Sequence, residues 1–401
     1  MPTPIPFNPI EVRLKKILRI HLKKLGFHND GTQLILSNKS KNIIRQLHHA
    51  QLMERLNKQK LFIQTEWPTL SRYFANGSDI HVNSIDPDLE LIKAYTWQSR
   101  LFRLASLTWS IPVSYGYGRR LRFLVWDRSN HKLIGLIALG DPVFNLQVRD
   151  KLIGWTAKDR KERLVNLLDA YVLGALPPYN MLLGGKLVAC LLRSREVVDI
   201  FNQKYGNTIG VISQKAKKAV LVTITTTSAL GKSSVYNRLS LNGIPYFKSI
   251  GFTNGWGHFH IPDAVFSLMR EYLEQNKHKY SRNYQFGEGP NWRIRAIRET
   301  LRMLGMNQNL LRHGIQREVF ICDLAENSRD VLRGFNTIPD YSSLLAMNDI
   351  INLAKKRWLI PRAERIGFSY QDWNKEQLIE KLMKYQFGCE SSKSKRESQC
   401  R

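Results

Sequence analysis

Cysteine is scarce in this chain: Cys190, Cys322, Cys389 and Cys400 are the only four in 401 residues. They lie far apart with no C-x-x-C pair, which excludes a disulfide framework and makes a reducing cytosol the expected compartment. Acidic residues are also few, 33 Asp+Glu against 61 Lys+Arg, so the net charge is +28. Such an excess must be solvated or neutralised by a polyanion, and nucleic acid is the expected partner. No apolar run approaches the ~18 residues that a bilayer span requires. The longest, Met181 to Leu192, is broken by Gly184, Gly185 and Lys186. The N-terminal MPTPIPFNPIEVRLKK lacks the basic-then-apolar order of a signal peptide. A cytoplasmic protein with no membrane contact is expected. The 43% hydrophobic and 10% aromatic content is enough for the cores of two or three domains.

Along the chain, residues 11–60 alternate basic and apolar positions with helical period. Val12, Ile17, Leu18, Ile20 and Leu22 stand among Arg13, Lys15, Lys16, Arg19, Lys23 and Lys24. Gly26 ends that helix and a second runs from about Lys39 to Lys60; residues 88–106 also read as helix. The character then changes. Apolar runs at Phe123–Trp126 and Leu133–Leu139 flank the turn formers Asp127-Arg128-Ser129-Asn130, a hairpin signature. Strand-like Ala170–Leu176, helical Leu182–Ser194, strand-like Ala219–Thr226 and helical Ser233–Leu239 follow, which predicts a mixed α/β layer. Beyond about residue 275 strand signals fade, and Asn291–Leu304, Ser342–Trp358 and Asn374–Tyr385 read as helices.

Four places carry candidate chemistry. In PYNMLLGGKL (178–187), Gly184 and Gly185 let backbone approach a ligand and Lys186 suits a phosphate; a tight strand-to-helix turn with a solvated lysine fits equally. In TTTSALGKSSVYNRL (225–239), Gly231, Lys232 and Ser233 resemble the end of a nucleotide-hydrolase phosphate loop. That loop needs a further glycine where Thr226 stands, so a nucleotide loop is rejected, while Lys232 and Arg238 still suit phosphate or polar contact. In GWGHFHIP (255–262), His258 and His260 would share one face of an extended segment. Two histidines without a third ligand make no metal site, so a packed pair, acid–base chemistry and phosphate contact stay open. In GPNWRIRAIRETLRMLG (289–305), Arg295, Arg298 and Arg302 fall at helical spacing opposite Ile297, Leu301 and Leu304. That face suits phosphates, and Trp292 either stacks a base or is buried. Asp127, Asp141, Asp150 and Asp169 sit near strand ends, where capping or pairing with Arg119, Arg120 and Arg149 is the default.

Several long segments, LFRLASLTWSIPVSYGYGRRLRFLVWD (101–127), LIGLIALGDPVFNLQVRDKLIGW (133–155), DAYVLGALPPYNMLLGGKLVA (169–189), TTTSALGKSSVYNRL, GHFHIP (257–262), GPNWRIR (289–295) and HGIQREVF (313–320), together resemble one family. It is the A component of the Druantia anti-phage defence system, and the resemblance covers roughly residues 10–330. It implies a bacterial defence protein acting with partner proteins, a large helicase-like component among them. It supplies no catalytic residues. A weaker, fold-level resemblance is to acyl-CoA N-acyltransferases, whose order of hairpin, strand, glycine turn, helix and strand is followed by 121–139, 170–194 and 219–252. YFKSIGF (246–252) is similar to the tail of such domains. Their turn has Arg or Gln, two residues, Gly, one residue, then Gly or Ala; here Gly184 and Gly185 are adjacent.

The expectation is therefore an α/β (α+β) protein whose mixed-sheet core resembles the N-acyltransferase fold between basic helical flanks. The expected organisation is 1–100 basic and helical, 101–275 mixed α/β, 276–388 helical and basic, and 389–401 a disordered tail. Lys186, Lys232, Arg238, Arg293, Arg295, Arg298 and Arg302 are the expected phosphate contacts, and Trp256 and Trp292 the expected base contacts. No catalytic residue or cofactor is assigned. His258, His260 and Asp169 are the candidates should the chain be a group-transfer enzyme or a metal-dependent nuclease.

Overall fold

The structure is a computed structural model describing residues 9–31, 34–36, 38–114, 116, 118–209, 216–282 and 292–387. The expected 389–401 tail and Gly289, Pro290 and Asn291 lie outside the described residues. The chain forms two compact units, Met1–Arg55 with Asn254–Arg317, and Leu56–Thr253 with Glu318–Arg401. Among the described residues no helix is long and apolar enough to cross a membrane.

The larger unit is built on a seven-stranded sheet, whose strands alone are numbered here. They are β1 Pro87–Leu91, β2 Arg120–Asp127, β3 Lys132–Gly140, β4 Leu167–Ala175, β5 Thr223–Thr227, β6 Lys248–Phe252 and β7 Glu318–Asp323. Their spatial order is β6-β7-β5-β4-β3-β2-β1. Every pairing is antiparallel except β4 with β5, which run parallel over only three registered pairs, Leu167↔Thr223 to Asp169↔Thr225. The mixed α/β class is as the sequence indicated.

The β2–β3 hairpin turns where expected, and the reason is local. Asp127, fully buried, accepts the Ser129 N–H at 3.1 Å, the Ser129 hydroxyl at 2.7 Å, the Asp86 N–H at 3.0 Å and the Tyr179 hydroxyl at 2.9 Å. A buried carboxylate with four donors is satisfied, so this residue is structural. Three expectations are corrected. Residues 87–91 are a strand rather than helix, with the helix Trp97–Ser106 starting after Thr96 caps it. Ser233–Leu239 is not an α-helix; only the 3₁₀ turn Tyr236–Arg238 forms there. Strand β7 lies in the stretch expected to be helical.

One sheet face is covered by the helices Gly184–Leu191 and Arg195–Tyr205, with Ile350, Ile351, Ala354, Trp358 and Leu359 packed into the same core. A smaller core holds Ile153, Trp155, Val222, Ala325, Val331 and Leu332. In the smaller unit the helix Pro9–Lys24 buries Ile10, Leu14, Leu18 and Leu22, a four-residue spacing that forms one stripe. Val12 and Ile20, expected in the apolar stripe, fall outside it and are 51% and 55% exposed.

Candidate nucleic-acid interface

The Gly231–Ser233 turn already holds an anion, and it is the chain's own. Glu318, buried at the start of β7, accepts the Ser233 N–H at 3.1 Å and the Asn237 amide at 3.2 Å on Oε2, and the Ser249 hydroxyl at 2.9 Å on Oε1. Its backbone also closes on the turn, donating to Gly231 O at 3.1 Å and accepting from Ser228 N at 2.8 Å. The Ser233 hydroxyl accepts from the N–H groups of Val235 and Tyr236, both at 3.1 Å. The N–H that would cradle a phosphate is thus occupied, while Lys232 stands exposed. Sequence reading missed Glu318 because its turn partner is more than eighty residues away, a separation no local pattern records.

The Gly184–Gly185 turn is different. Tyr179 O accepts the Gly184 N–H at 2.9 Å, so close that a Cβ at Gly184 would stand 2.7 Å from that oxygen. Gly184 is therefore required by packing. At Gly185 a Cβ would meet nothing within 4 Å, so the start of the Gly184–Leu191 helix is open.

Beside this open end the structure gathers cations. The Lys186 ammonium lies 5.3 Å over the Trp358 indole and the Arg357 guanidinium 5.7 Å over the same ring. Arg357 also reaches the Ser240 hydroxyl at 3.4 Å, and the neighbouring Arg362 donates to Met181 O at 3.1 Å. Burial holds the Lys186 pKa below its usual range, and the charges of Arg357, Arg238 and Arg365 press it down further. Among the described residues none of these four cations has a carboxylate partner. Like charges held together without acid raise the local positive potential.

The local backbone explains how Arg357 and Trp358 arrive there. Lys355–Leu359 is a π-helical turn, with the Ile360 N–H bonding Lys355 O. Pro361 follows, and a proline in the next turn cannot donate to Arg357 O and crowds that carbonyl, which widens the helix. Lys355 anchors the turn by donating to Asn83 O at 2.7 Å and Ile85 O at 2.9 Å. The structure thus brings the expected Lys186 and Arg238 together and adds Arg357 and Arg365. Sequence reading missed both; the run KKRW ahead of Pro361 is the signal that could have found Arg357, and Arg365 lies beyond it.

In the smaller unit the expected guanidinium row is divided. Arg293 turns inward, bonding Asp263 at 2.5 Å and Ile261 O at 2.7 Å over the Phe266 ring. Arg302 pairs with Glu299 at 2.6 Å. Arg295 is half-buried near the Tyr280 ring, and exposed Arg298 reaches Gln308 at 3.3 Å. Trp292 packs edge-on to Phe266 and donates to Tyr280 O at 3.0 Å, whereas Trp256 is 44% exposed.

His258 and His260 do not lie on an extended strand. The Ile261 N–H closes a turn on His258 O at 3.0 Å, so the shared face expected of them does not arise. His260 donates from Nε2 to Leu310 O at 2.9 Å, and its ring stands 5.7 Å from that of His313. Around Phe259 gather His48, His260, His313 and Arg317, with Arg317 donating to His48 Nε2 at 3.1 Å. Burial pushes the pKa of His48, His258 and His260 down to about 4 and of His313 to about 2. These are neutral packed rings. Among the described residues no group of three or more His, Cys, Asp or Glu gathers to hold a metal.

Asp169, at the end of the β4–β5 parallel pairing, accepts the Thr225 hydroxyl at 2.7 Å. Burial raises its pKa to about 6, against the lowering effects of Thr225 and Arg149. Asp141 pairs with Arg119 at 2.8 Å and Asp150 with Arg149 at 2.6 Å, the pairing that was the default. A shallow, open depression of about 520 Å³ is lined by Asp150, Trp155 and Arg160.

The model of the family described as Druantia protein DruA matches residues 38–334. Druantia protein DruA of Escherichia coli (strain UMEA 4076-1) is 55% identical over 374 residues, which cover 93% of this chain and 92% of that one. The chain belongs to the DruA family. It is accordingly an anti-phage defence component of a multi-component Druantia system, as the resemblance implied. No solved structure matches the chain, so the acyltransferase likeness has no support from that comparison. The family match ends at residue 334, and Arg357, Trp358 and Arg365 lie beyond it.

Proposed function

We propose that the chain is the nucleic-acid-contacting component of its defence system, gripping phosphates at the cationic cluster of Lys186, Arg238, Arg357 and Arg365. The observation that carries this reading is the cluster's lack of any carboxylate partner among the described residues, on a chain of net charge +28. Open space at Gly185 leaves room for a phosphate beside Lys186. Exposed Lys232, Arg298 and Trp256 are further contacts in this reading, while Arg293 and Trp292 are held by their own neighbours. The helicase-like partner implied by the resemblance acts on nucleic acid, so a subunit that holds the strand suits it.

The test is affinity for DNA and RNA measured against salt. A straight fall of log K with log salt is expected, with a slope set by the number of phosphates engaged. A flat response, or no binding at low salt, overturns the reading.

One observation favours a second reading, group transfer on an N-acyltransferase-like core. The hairpin, strand, glycine turn, helix and strand occur in the resembled order, and the parallel β4–β5 pairing stops after three residues beside that helix. A thermal shift or calorimetric heat with acetyl-CoA supports it; the absence of both removes it.

A further inference from the structure

The helix Pro9–Lys24 turns an almost wholly cationic face to solvent. Arg13, Lys16, Arg19, Lys23 and Lys24 are exposed, and with them Val12 and Ile20. At 3.6 residues per turn these seven positions fall within an arc of about 140°. Opposite lies the buried stripe of Ile10, Leu14, Leu18 and Leu22. That stripe fixes the direction of the face, helped by His21, whose Nε2 donates to His260 O at 2.8 Å. Glu11 is the helix's one acid, and Lys15 takes it at 2.6 Å. Among the described residues the five exposed cations have no carboxylate partner.

The helix dipole accounts for part of this. Lys23 and Lys24 stand in the last turn, where the carbonyl end favours cations. Arg13, Lys16 and Arg19 gain nothing from it. With Lys23 they follow one another at three- and four-residue spacing, where like charges repel along a helix. Solvation would be served as well by acids set between the cations, and this face has none.

The shape of the face selects the polyanion that suits it. A bilayer surface needs a broad apolar face to sink into. Here the apolar stripe is buried inside the unit, and Val12 and Ile20 stand two turns apart with Lys16 between them. A B-form duplex instead offers a major groove about 12 Å wide, which admits a helix of roughly that diameter. Phosphates line both rims of the groove. Arg19 at one margin of the arc and Arg13 and Lys24 at the other suit opposite strands, while Val12 and Ile20 suit thymine methyl groups. The major groove of A-form RNA is too narrow for side chains to read.

We propose that the exposed face of the helix Pro9–Lys24 docks in the major groove of double-stranded DNA. This docking rests on the nucleic-acid reading above and names B-form DNA as the substrate. It uses a surface of the smaller unit that shares no residue with the Lys186–Arg357 cluster.

The experiment measures affinity of the full chain for a DNA duplex and an RNA duplex of the same sequence, against salt. Lys16→Gln plus Arg19→Gln plus Lys23→Gln removes three charges at exposed positions and keeps good helix formers, so the unfolding midpoint is expected to hold. The salt slope with duplex DNA is expected to fall by about 3, and binding to duplex RNA to stay as it was. Val12→Ala plus Ile20→Ala is expected to weaken binding to A·T-containing DNA roughly 5-fold and leave the slope alone. The proposal is overturned if the triple variant keeps the DNA slope, or if duplex RNA loses as much as duplex DNA. It is also overturned if phosphatidylserine vesicles bind the original chain and not the triple variant, the face then being a membrane contact. A slope that falls with Lys186→Ala and Arg357→Ala but not with the triple variant removes this docking and leaves the cluster reading; the opposite pattern does the reverse. No duplex binding at low salt removes both.

Discussion

Glu318 and Ser233 stand in a relationship that settles the meaning of a motif: the carboxylate takes the backbone N–H at 3.1 Å. A turn that resembles a phosphate cradle is closed by an internal acid. Glu318→Ala leaves three donors without their acceptor, from Ser233, Asn237 and Ser249, and is expected to destabilise the fold by about 2–4 kcal/mol. Glu318→Gln, which keeps an acceptor oxygen, is expected to cost about half as much. Urea unfolding measures both, and equal losses would show that the charged carboxylate, rather than side-chain volume or a single acceptor oxygen, is what the turn requires.

At the open turn, the two glycines are expected to behave oppositely. Gly184→Ala drives a methyl against Tyr179 O at 2.7 Å and is expected to destabilise by about 1–3 kcal/mol. Gly185→Ala meets empty space inside a helix and is expected to stabilise by up to about 1 kcal/mol. If phosphates sit beside Gly185, the same change weakens nucleic-acid binding despite the gain in stability. Thermal unfolding and binding run on the same sample separate the two effects.

Lys186→Ala and Arg357→Ala are each expected to reduce the salt slope of nucleic-acid binding by about 1 and to weaken binding similarly across sequences. The double variant is not expected to be additive, because each cation relieves the repulsion felt by the other and both lie over Trp358. Variants that change affinity at one salt concentration but leave the slope intact would place the phosphates elsewhere.

Acid is expected to unfold the smaller unit early. Its buried histidines, His48, His258, His260 and His313, have folded pKa values of about 4, 4, 4 and 2, against an ordinary 6.5. Between pH 6.5 and 4 the unfolded chain therefore binds more protons than the folded one. The stability tied to their neutral form is complete above pH 6.5 and is lost as pH falls, with a slope approaching ~1.4 kcal/mol per pH unit for each histidine. Asp169 opposes this in the larger unit. Its raised value of about 6 means that the folded state binds the proton more tightly, so protonation below pH 6 relieves a penalty. Stability of His260→Gln measured from pH 7.5 to 4.5 is expected to show a slope shallower by one proton.

What the sequence made legible was local. The Asp127–Asn130 turn announces the hairpin because Asp and Ser bond their own backbone. The Gly-Gly turn announces a helix start because only glycine fits beneath Tyr179 O. Less legible was whatever depends on distant pairing. Strand β7 sits between β5 and β6, so its neighbours lie some ninety and seventy positions upstream, and Glu318 reads as a surface acid until the sheet closes. Arg357 meets Lys186 only because a proline-widened turn on a distant helix points it there. The histidine pair was misread for a different cause, a turn at His258–Ile261 where alternation had suggested an extended segment.

The chain departs from the sheet at Phe252 and rejoins it at Glu318, and those two residues are registered partners in adjacent strands. Everything between them is an excursion that begins and ends at one doorway. In mechanical terms the Phe252–Glu318 pair is a staple: one register holds both ends of a segment that folds with Met1–Arg55.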